Sequence, residues 1–315
     1  MNTNQKPAET DRLKVQTARL SVVSNTGLVI LKFFVGFAIG SVSIISEAIH
    51  SSMDLLAAVI AFFSVKKSSE PPDAAHAFGH GKFEDISGLV EAFLIILAAV
   101  IIITEALLRL VSGTGEEFEP GLLSFGIAVM GISALANWYV SSRLMKVAKE
   151  TESIALESDA WHLRTDVYTS LGVFAGLILI HLTGLTFLDP LIAIGVAIVI
   201  LHAATGLLKK SFADLLDHSL PPQDEGRIKE IINAHTGQHA GFHGFRSRRS
   251  GPDIFIEFHL VMPGEISVTR SHDLADHLES DLLLEYPRAK VTIHIEPCEN
   301  ACSRCEAFST CPKRE

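Results

Sequence analysis

Long apolar stretches alternate with short polar ones through the first two thirds of the chain. A helix needs roughly 20 apolar residues to cross a hydrocarbon core about 30 Å thick. Six stretches meet this length, at residues 18–39, 42–65, 86–111, 122–145, 154–182 and 187–208. The pattern predicts an all-α membrane domain, a six-helix transmembrane bundle over residues 18–210, preceded by a polar leader at residues 1–17.

From residue 211 the pattern changes to that of a water-soluble domain. Helical and alternating strand periods follow one another after the Pro221-Pro222 break. They predict, in order, a helix at 223–233, strands at 242–247 and 254–261, a helix at 269–284 and a strand at 290–296. This order is typical of an α+β layer, a small sheet with helices on one face, over residues 211–297. The polar tail, residues 298–315, is too short to fold alone.

Lysine and arginine residues are unevenly divided among the predicted loops. They occur in the leader and after the second, fourth and sixth segments, whereas the loop after the third carries Glu116, Glu117 and Glu119 instead. By the positive-inside rule, both termini lie in the cytoplasm. The leader shows no cleavable signal pattern, because the first apolar run has no small-residue cleavage site behind it. We therefore expect a multi-pass protein of the inner cell membrane.

Composition narrows the possible partners. Net charge is −10 with the 14 histidines neutral, so no basic face remains to meet phosphates and nucleic acid is not an expected partner. The four cysteines lie close together, which argues against a disulfide framework. They could hold a soft metal ion or form a disordered reduced tail, and their spacing leaves both possibilities open. They are Cys298, Cys302, Cys305 and Cys311.

Two of the predicted helices carry polar stripes that lipid would penalise. In the second helix His50 and Asp54 are four residues apart, and in the fifth His162 and Asp166 repeat that spacing. Residues at i and i+4 share one helix face. Two such pairs supply two imidazole nitrogens and two carboxylates, the ligands of a tetrahedral zinc-like ion. The alternative is polar pairing within the bundle, but repetition on separate helices favours a metal site.

This ligand set also predicts a mechanism. Two carboxylates balance a divalent charge, so a loaded site is close to neutral inside the membrane, whereas an empty one leaves two anions at depth. Histidine protonates near neutral pH, so protons compete directly with the metal. We therefore expect a divalent metal to exchange against protons at one location, with zinc ahead of ferrous iron, cobalt or cadmium.

For two other groups of candidate ligands, sequence spacing alone does not decide whether they bind a metal. Asp73, His76 and His80 lie in the loop between the second and third segments and have the chemistry of a second, exposed metal site, although loop histidines are usually only solvated. In the soluble domain, spacing does not show whether the polar residues near the strands converge. These residues are His243, His259, His272, His294 and Glu296.

Isolated polar residues in the other helices are expected to pack rather than to react. Glu91, Glu105 and Asn137 should face the bundle or a wet cavity, or lie near a helix end, as packing or interfacial residues. Lys32 in the first segment could snorkel towards the membrane surface.

Several longer motifs resemble one known family. They are SEAIHSSMD in the second segment, AFGHGK in the loop, SDAWHLRTD in the fifth segment, and FRSRRSGP, FIEFHL and VTIHIEP in the soluble domain. With these motifs the chain resembles a cation diffusion facilitator over residues 13–297. That family comprises divalent-metal/proton antiporters with six transmembrane helices and a cytoplasmic domain.

The resemblance implies roles for individual residues. The transport site maps onto His50, Asp54, His162 and Asp166, and a histidine at the first of these positions is typical of members that prefer zinc over cadmium. A loop site maps onto Asp73, His76 and His80, and an interlocking charge pair at the membrane surface onto Lys82 and Asp217.

The same resemblance implies a metallochaperone-like αββαβ cytoplasmic domain that dimerises and binds a pair of zinc ions. Its ligands map onto His243, His259 and His294, with His272 reaching from the partner subunit. Glu296 stands where the family commonly has aspartate, which is a departure from its pattern.

The expected function is therefore proton-coupled efflux of divalent transition metals by a homodimer. Zinc would be both the substrate and a ligand of the cytoplasmic domain, and no catalytic cofactor is expected. An intramembrane metalloenzyme is the less favoured alternative, because no H-E-x-x-H motif occurs and four ligands leave no open position. A membrane-bound metal sensor that signals through the cytoplasmic domain is the other.

Overall fold

The chain folds into two compact units, whose boundaries lie between residues 9 and 10 and between residues 212 and 213. The computed structural model describes residues 5–39, 42–112, 123–183, 188–235 and 238–298. We name residues 10–212 the helical unit and residues 213–298 the C-terminal unit.

Within the described residues, the helical unit is built from six long helices, one for each predicted apolar segment. They are α1 (Gln5–Ile39), α2 (Val42–Ser68), α3 (Lys82–Ser112), α4 (Leu123–Thr151), α5 (Ile154–Thr183) and α6 (Leu188–Leu215). By length and composition, three stretches of the described chain are apolar enough to span a membrane: Glu9–Ala38, Lys82–Leu108 and Pro190–Leu215. The count of six crossings stays a prediction.

Helix α1 begins much earlier than the apolar pattern predicts. Residues 5–17 are already helical, because the helix starts at Gln5, and the predicted leader boundary stays a prediction. Lys14 is fully buried and Thr17 is 7% exposed. Apolar periodicity did not predict this extension, because a lysine in a sequence is normally assigned to the protein surface.

Lys14 is buried because it belongs to a polar cluster around Glu84, which is also fully buried. The Lys14 ammonium donates to Glu84 Oε1 at 2.8 Å, and the Ser68 hydroxyl donates to the same oxygen at 2.5 Å. The Ser153 hydroxyl donates to Glu84 Oε2. One carboxylate thus joins α1, the end of α2, the start of α3 and the connection between α4 and α5.

The isolated polar residues of the helices mostly face inward, as predicted. Glu91 is fully buried and Asn137 is 8% exposed, whereas Glu105 is exposed about two turns before the end of α3. The expectation for Lys32 was wrong. Its side chain is 4% exposed and its ammonium donates to Ser51 Oγ at 2.6 Å, so it points into the helical unit instead of snorkelling.

The C-terminal unit has the predicted order of helix, strand, strand, helix and strand. Its elements are α7 (Pro222–Asn233), β1 (Gly241–Ser250), β2 (Asp253–Met262), α8 (Val268–Glu285) and β3 (Ala289–Pro297). The sheet order is β1-β2-β3, with β1 antiparallel and β3 parallel to the central β2.

The core of this unit explains why both helices lie on one face of the sheet. Alternate residues of β2, such as Ile256, Phe258 and Leu260, are buried against apolar residues of α7 and α8. On α8 the buried residues recur every four positions, at Leu274, Leu278 and Leu282. Residues of opposite parity on β2, including His259, therefore face away from this core.

The Glu84 cluster yields a stability prediction. We expect Glu84→Gln to lower the thermal unfolding midpoint of the purified protein, because it removes the fully buried partner of Lys14 and leaves only the 20% exposed Asp11, 3.3 Å away. Removing one partner of a buried ion pair costs about 3 kcal/mol or more. Replacing both residues, as Lys14→Met with Glu84→Gln, should recover much of the loss.

The matched control is Glu70→Gln. Glu70 pairs with Lys67 at 2.5 Å, but their side chains are 49% and 36% exposed, so this exposed pair should add little stability. Equal midpoints for Glu84→Gln and the wild-type protein would contradict a structural role for the buried cluster.

Candidate metal centres

One cluster of possible metal ligands lies inside the helical unit. Asp54 on α2 meets His162 and Asp166 on α5, and one ligand atom from each lies within 4.8 Å of the others. His162 Nε2 is 3.1 Å from Asp54 Oδ1. Because positions 162 and 166 are one turn apart on α5, both face α2.

The cluster is partly shielded from water and has polar neighbours. Asp54 is 6% exposed. Asn137 on α4 donates its amide N–H to Asp166 Oδ2 at 3.5 Å, and Lys32 on α1 contacts Ser51, three residues before Asp54. The sequence analysis assigned neither Asn137 nor Lys32 to the site. Each is a polar side chain in an apolar helix, and that feature could have identified them as candidates.

The fourth predicted ligand, His50, lies one turn before Asp54 on α2. Its side chain is outside the described residues, so its place in the cluster stays a prediction. The backbone places it on the same helix face as Asp54.

A second cluster occupies the loop between α2 and α3. Asp73 Oδ1 is 3.2 Å from His76 Nδ1, and Asp73 Oδ2 is 3.2 Å from His80 Nε2. The loop turns back at Gly79, whose φ of +95° favours glycine. The side chain of His80 is 1% exposed, so this residue is not an ordinary solvated loop histidine.

The loop also holds its carboxylate in the ionised form. Asp73 Oδ1 accepts backbone N–H groups from His76 at 2.6 Å and from Ala75 at 2.9 Å. These bonds, that of His76 first, lower the pKa of Asp73 to about 2 against the opposing effect of burial. The loop therefore presents one carboxylate and two imidazoles at neutral pH.

A third cluster lies on the exposed face of the sheet. The strand register pairs His243 with His259 and His259 with His294, so one imidazole from each strand forms a row. His243 Nε2 is 2.8 Å from Glu296 Oε2, and His259 Nδ1 is 2.7 Å from Glu296 Oε1. His294 Nε2 is 3.6 Å from the latter oxygen.

Glu296 is the centre of this third cluster. Its hydrogen bond with His259, and then that with His243, holds the pKa of Glu296 below its ordinary value. The sequence left open whether these histidines converge, and the structure shows that His243, His259, His294 and Glu296 do.

His272 does not join them within one chain. It lies on α8, its side chain is 69% exposed, and its Nδ1 is 3.4 Å from Asp276 Oδ1. Its predicted action on a partner subunit stays a prediction.

Two other predicted groups are only partly described. Asp217 accepts a hydrogen bond from Arg248 within the C-terminal unit at 3.2 Å, and its predicted pairing with Lys82 stays a prediction. Of the tail cysteines, Cys298 continues the sheet through a 2.8 Å bond from its N–H to the Met262 carbonyl. Cys302, Cys305 and Cys311 lie outside the described residues.

Sequence reasoning missed one further cluster. His235, His277 and Asp281 bring one ligand atom each within 4.8 Å of one another in the C-terminal unit. The signal that could have found it is His277-x-x-x-Asp281, the same spacing as on α5.

Each cluster combines imidazole and carboxylate, a donor set that suits zinc and neighbouring divalent transition metals. Their surroundings differ. The cluster on α2 and α5 is shielded inside long apolar helices, whereas the sheet cluster is open, with the His243 side chain 56% exposed.

Comparison with known proteins finds family matches over both parts of the chain. The family model of the cation efflux transmembrane domain matches residues 18–216, and that of the cation efflux protein cytoplasmic domain matches residues 220–298. A solved structure of the proposed zinc transporter CzrB shares 38% sequence identity over 25% of this chain and 99% of its own, with a TM-score of 0.25.

Full-length relatives are also similar. The uncharacterized transporter sll1263 of Synechocystis sp. is 35% identical, over 92% of this chain and 93% of its own. The cation-efflux pump FieF of Pectobacterium atrosepticum is 32% identical, over 88% of this chain and 92% of its own. Because the transmembrane-domain match alone spans more than half of the chain, the protein belongs to the cation diffusion facilitator family and is a cation efflux transporter, not an enzyme.

Proposed function

We propose that this protein exports zinc from the cytoplasm in exchange for protons, through a site made of His50, Asp54, His162 and Asp166. The observation that carries the proposal is the convergence of Asp54, His162 and Asp166 from two separate helices, within 4.8 Å. Two imidazoles and two carboxylates match the tetrahedral preference of zinc. Ferrous iron, cobalt and cadmium are the competing substrates.

The contact between His162 and Asp54 supplies the coupling. At 3.1 Å, His162 Nε2 makes a hydrogen bond to the carboxylate while it carries a proton. A metal ligand must offer a lone pair, so the ion and the Nε2 proton exclude each other. Loading therefore drives the proton from this nitrogen, and reprotonation on the far side promotes release.

The membrane arrangement completes the proposal. Six long helices, a family match over the transmembrane domain and a family match over the cytoplasmic domain support six crossings with both termini in the cytoplasm. The C-terminal unit would join two copies into a homodimer in the inner membrane. Zinc on its exposed sheet cluster would regulate transport, and the loop cluster would bind zinc beside the bundle.

We expect Asp54→Asn to reduce zinc flux into sealed vesicles by more than about 100-fold, because it removes a ligand and half of the charge balance. Loss of merely supporting groups already costs 10–100-fold at metal sites. Asp166→Asn should behave alike. The control is Glu105→Gln, which changes an exposed carboxylate of α3 and should leave flux unchanged. Normal flux in Asp54→Asn would exclude this residue from the transport site.

Proton coupling has its own test in vesicles that contain a pH-sensitive dye. Zinc entry should be accompanied by proton movement in the opposite direction, and an imposed pH gradient should drive zinc against its concentration gradient. Vesicles with Asp54→Asn control for leakage. Zinc flux that neither moves protons nor responds to the gradient would contradict antiport.

We expect the sheet cluster to regulate transport and not to form part of the transport site. We expect Glu296→Gln to weaken zinc-dependent dimerisation, measured by sedimentation in detergent, because zinc bound between subunits stabilises only the dimer. Zinc flux should persist within about threefold, less than the loss expected from a transport ligand. Glu257→Gln, an exposed carboxylate on β2, is the control. Unchanged zinc-dependent dimerisation would remove Glu296 from the regulatory site.

A further inference from the structure

The C-terminal unit carries a histidine-carboxylate cluster that is separate from the sheet cluster. His235 follows the end of α7, whereas His277 and Asp281 lie one turn apart on α8. We infer that these three side chains form an additional binding site for a divalent transition metal of the zinc class. The inference does not depend on the proposed transport function.

His235 is held in the orientation that a metal ligand requires. Its side chain is 10% exposed, and its Nδ1 is 3.2 Å from the Ile231 carbonyl oxygen, to which it can donate. In the neutral ring, Nε2 then carries a lone pair. Metal-ligating histidines typically donate their second ring N–H to such a carbonyl, which fixes the tautomer and the ring orientation.

The lone pair of His235 faces a carboxylate. Its Nε2 is 3.3 Å from Asp281 Oδ2. Two acceptors at this distance need a cation between them, either a proton or a metal. A tetrahedral zinc ion with bonds of about 2.0–2.1 Å holds its ligand atoms about 3.3–3.4 Å apart, so the observed separation already fits the edge of a zinc site.

His277 distinguishes a metal from a proton. Its Nε2 is 4.0 Å from Asp281 Oδ2, too far for a hydrogen bond, and its ring is edge-to-face with His235 at 5.2 Å between centroids. A shared proton gives His277 no role. A metal ion would use it as a third ligand, because one His277 ring nitrogen already lies within 4.8 Å of the other two ligand atoms.

The position of the cluster makes it independent of the sheet cluster. Leu278 and Leu282 of α8 are buried in the core between the helices and the sheet, while His259 faces away from that core. An apolar layer therefore separates the two groups. Three protein ligands leave a fourth position for water, and an ion bound there would fasten the end of α7 to α8.

The test uses full-length protein in detergent with zinc alone as the probe. To exclude the other clusters, the background carries Asp54→Asn, Asp73→Asn and Glu296→Gln, and to exclude the tail thiols it carries Cys298→Ser, Cys302→Ser, Cys305→Ser and Cys311→Ser. In this background, His277→Ala and Asp281→Asn should each bind one zinc ion fewer per chain at saturation. Both changes are at sites that tolerate them, since His277 is exposed and asparagine matches the shape of aspartate.

A second readout identifies the ligands. Co²⁺ added to the background variant should give the visible absorption of an ion with nitrogen and oxygen ligands. Adding His277→Ala to that variant should diminish this absorption. Glu279→Gln, an exposed carboxylate of the same helix, should change neither zinc content nor absorption.

Two outcomes would overturn the inference. If His277→Ala and Asp281→Asn bind as much zinc as the background, the cluster is a His235–Asp281 ion pair only. If Glu279→Gln loses zinc equally, the binding is a diffuse effect of charge on α8. Neither outcome bears on transport, because flux is not measured and the transport ligand Asp54 is already replaced.

Discussion

A carboxylate that is shielded from water needs a cation or a hydrogen-bond donor close by, and the helical unit depends on meeting this need. It does so in two ways. At Glu84 the cation belongs to the protein, since Lys14 and two hydroxyls satisfy the carboxylate permanently. At Asp54 the partner is His162, and in the proposed mechanism an ion takes the place of the proton between them. The first arrangement holds helices together, and the second leaves a charge that cargo can balance.

This difference explains how one bundle can be rigid at the Glu84 cluster and still exchange ions at the proposed transport site. The Glu84 cluster ties three helices together, so those helices can pack around polar groups without opening to water. The cluster of Asp54, His162 and Asp166 lies on α2 and α5, and in the proposed mechanism a proton and a metal compete there for the same nitrogen. Lys32 on α1 is buried and donates to Ser51, three residues before Asp54 on α2.

In the C-terminal unit, the histidines of the sheet cluster lie on an open face. Its core is entirely on one side of the sheet, so β2 presents His259 to solvent between two neighbouring imidazoles. The exposure of this cluster is consistent with the proposed regulatory role, because ions in the surrounding solution could reach it directly. The loop cluster is intermediate, with His80 buried and His76 47% exposed.

The sequence by itself determined the elements and the local pairs. Apolar length predicted the helices, alternation predicted the sheet, and the i, i+4 spacing of His162 and Asp166 predicted a shared face, because these features depend on neighbouring residues. The repeated spacing had already paired Asp54 with His162, 108 positions away. In contrast, only the tertiary structure decided which other distant groups meet. His243 and Glu296 meet through strand register, and His235 reaches Asp281 without any motif. The tertiary structure also showed that α1 begins earlier than predicted. The sequence alone assigns Lys14 to the surface, because its buried partner Glu84 is 70 positions away. Helix packing and strand register are long-range properties, and no local pattern encodes them.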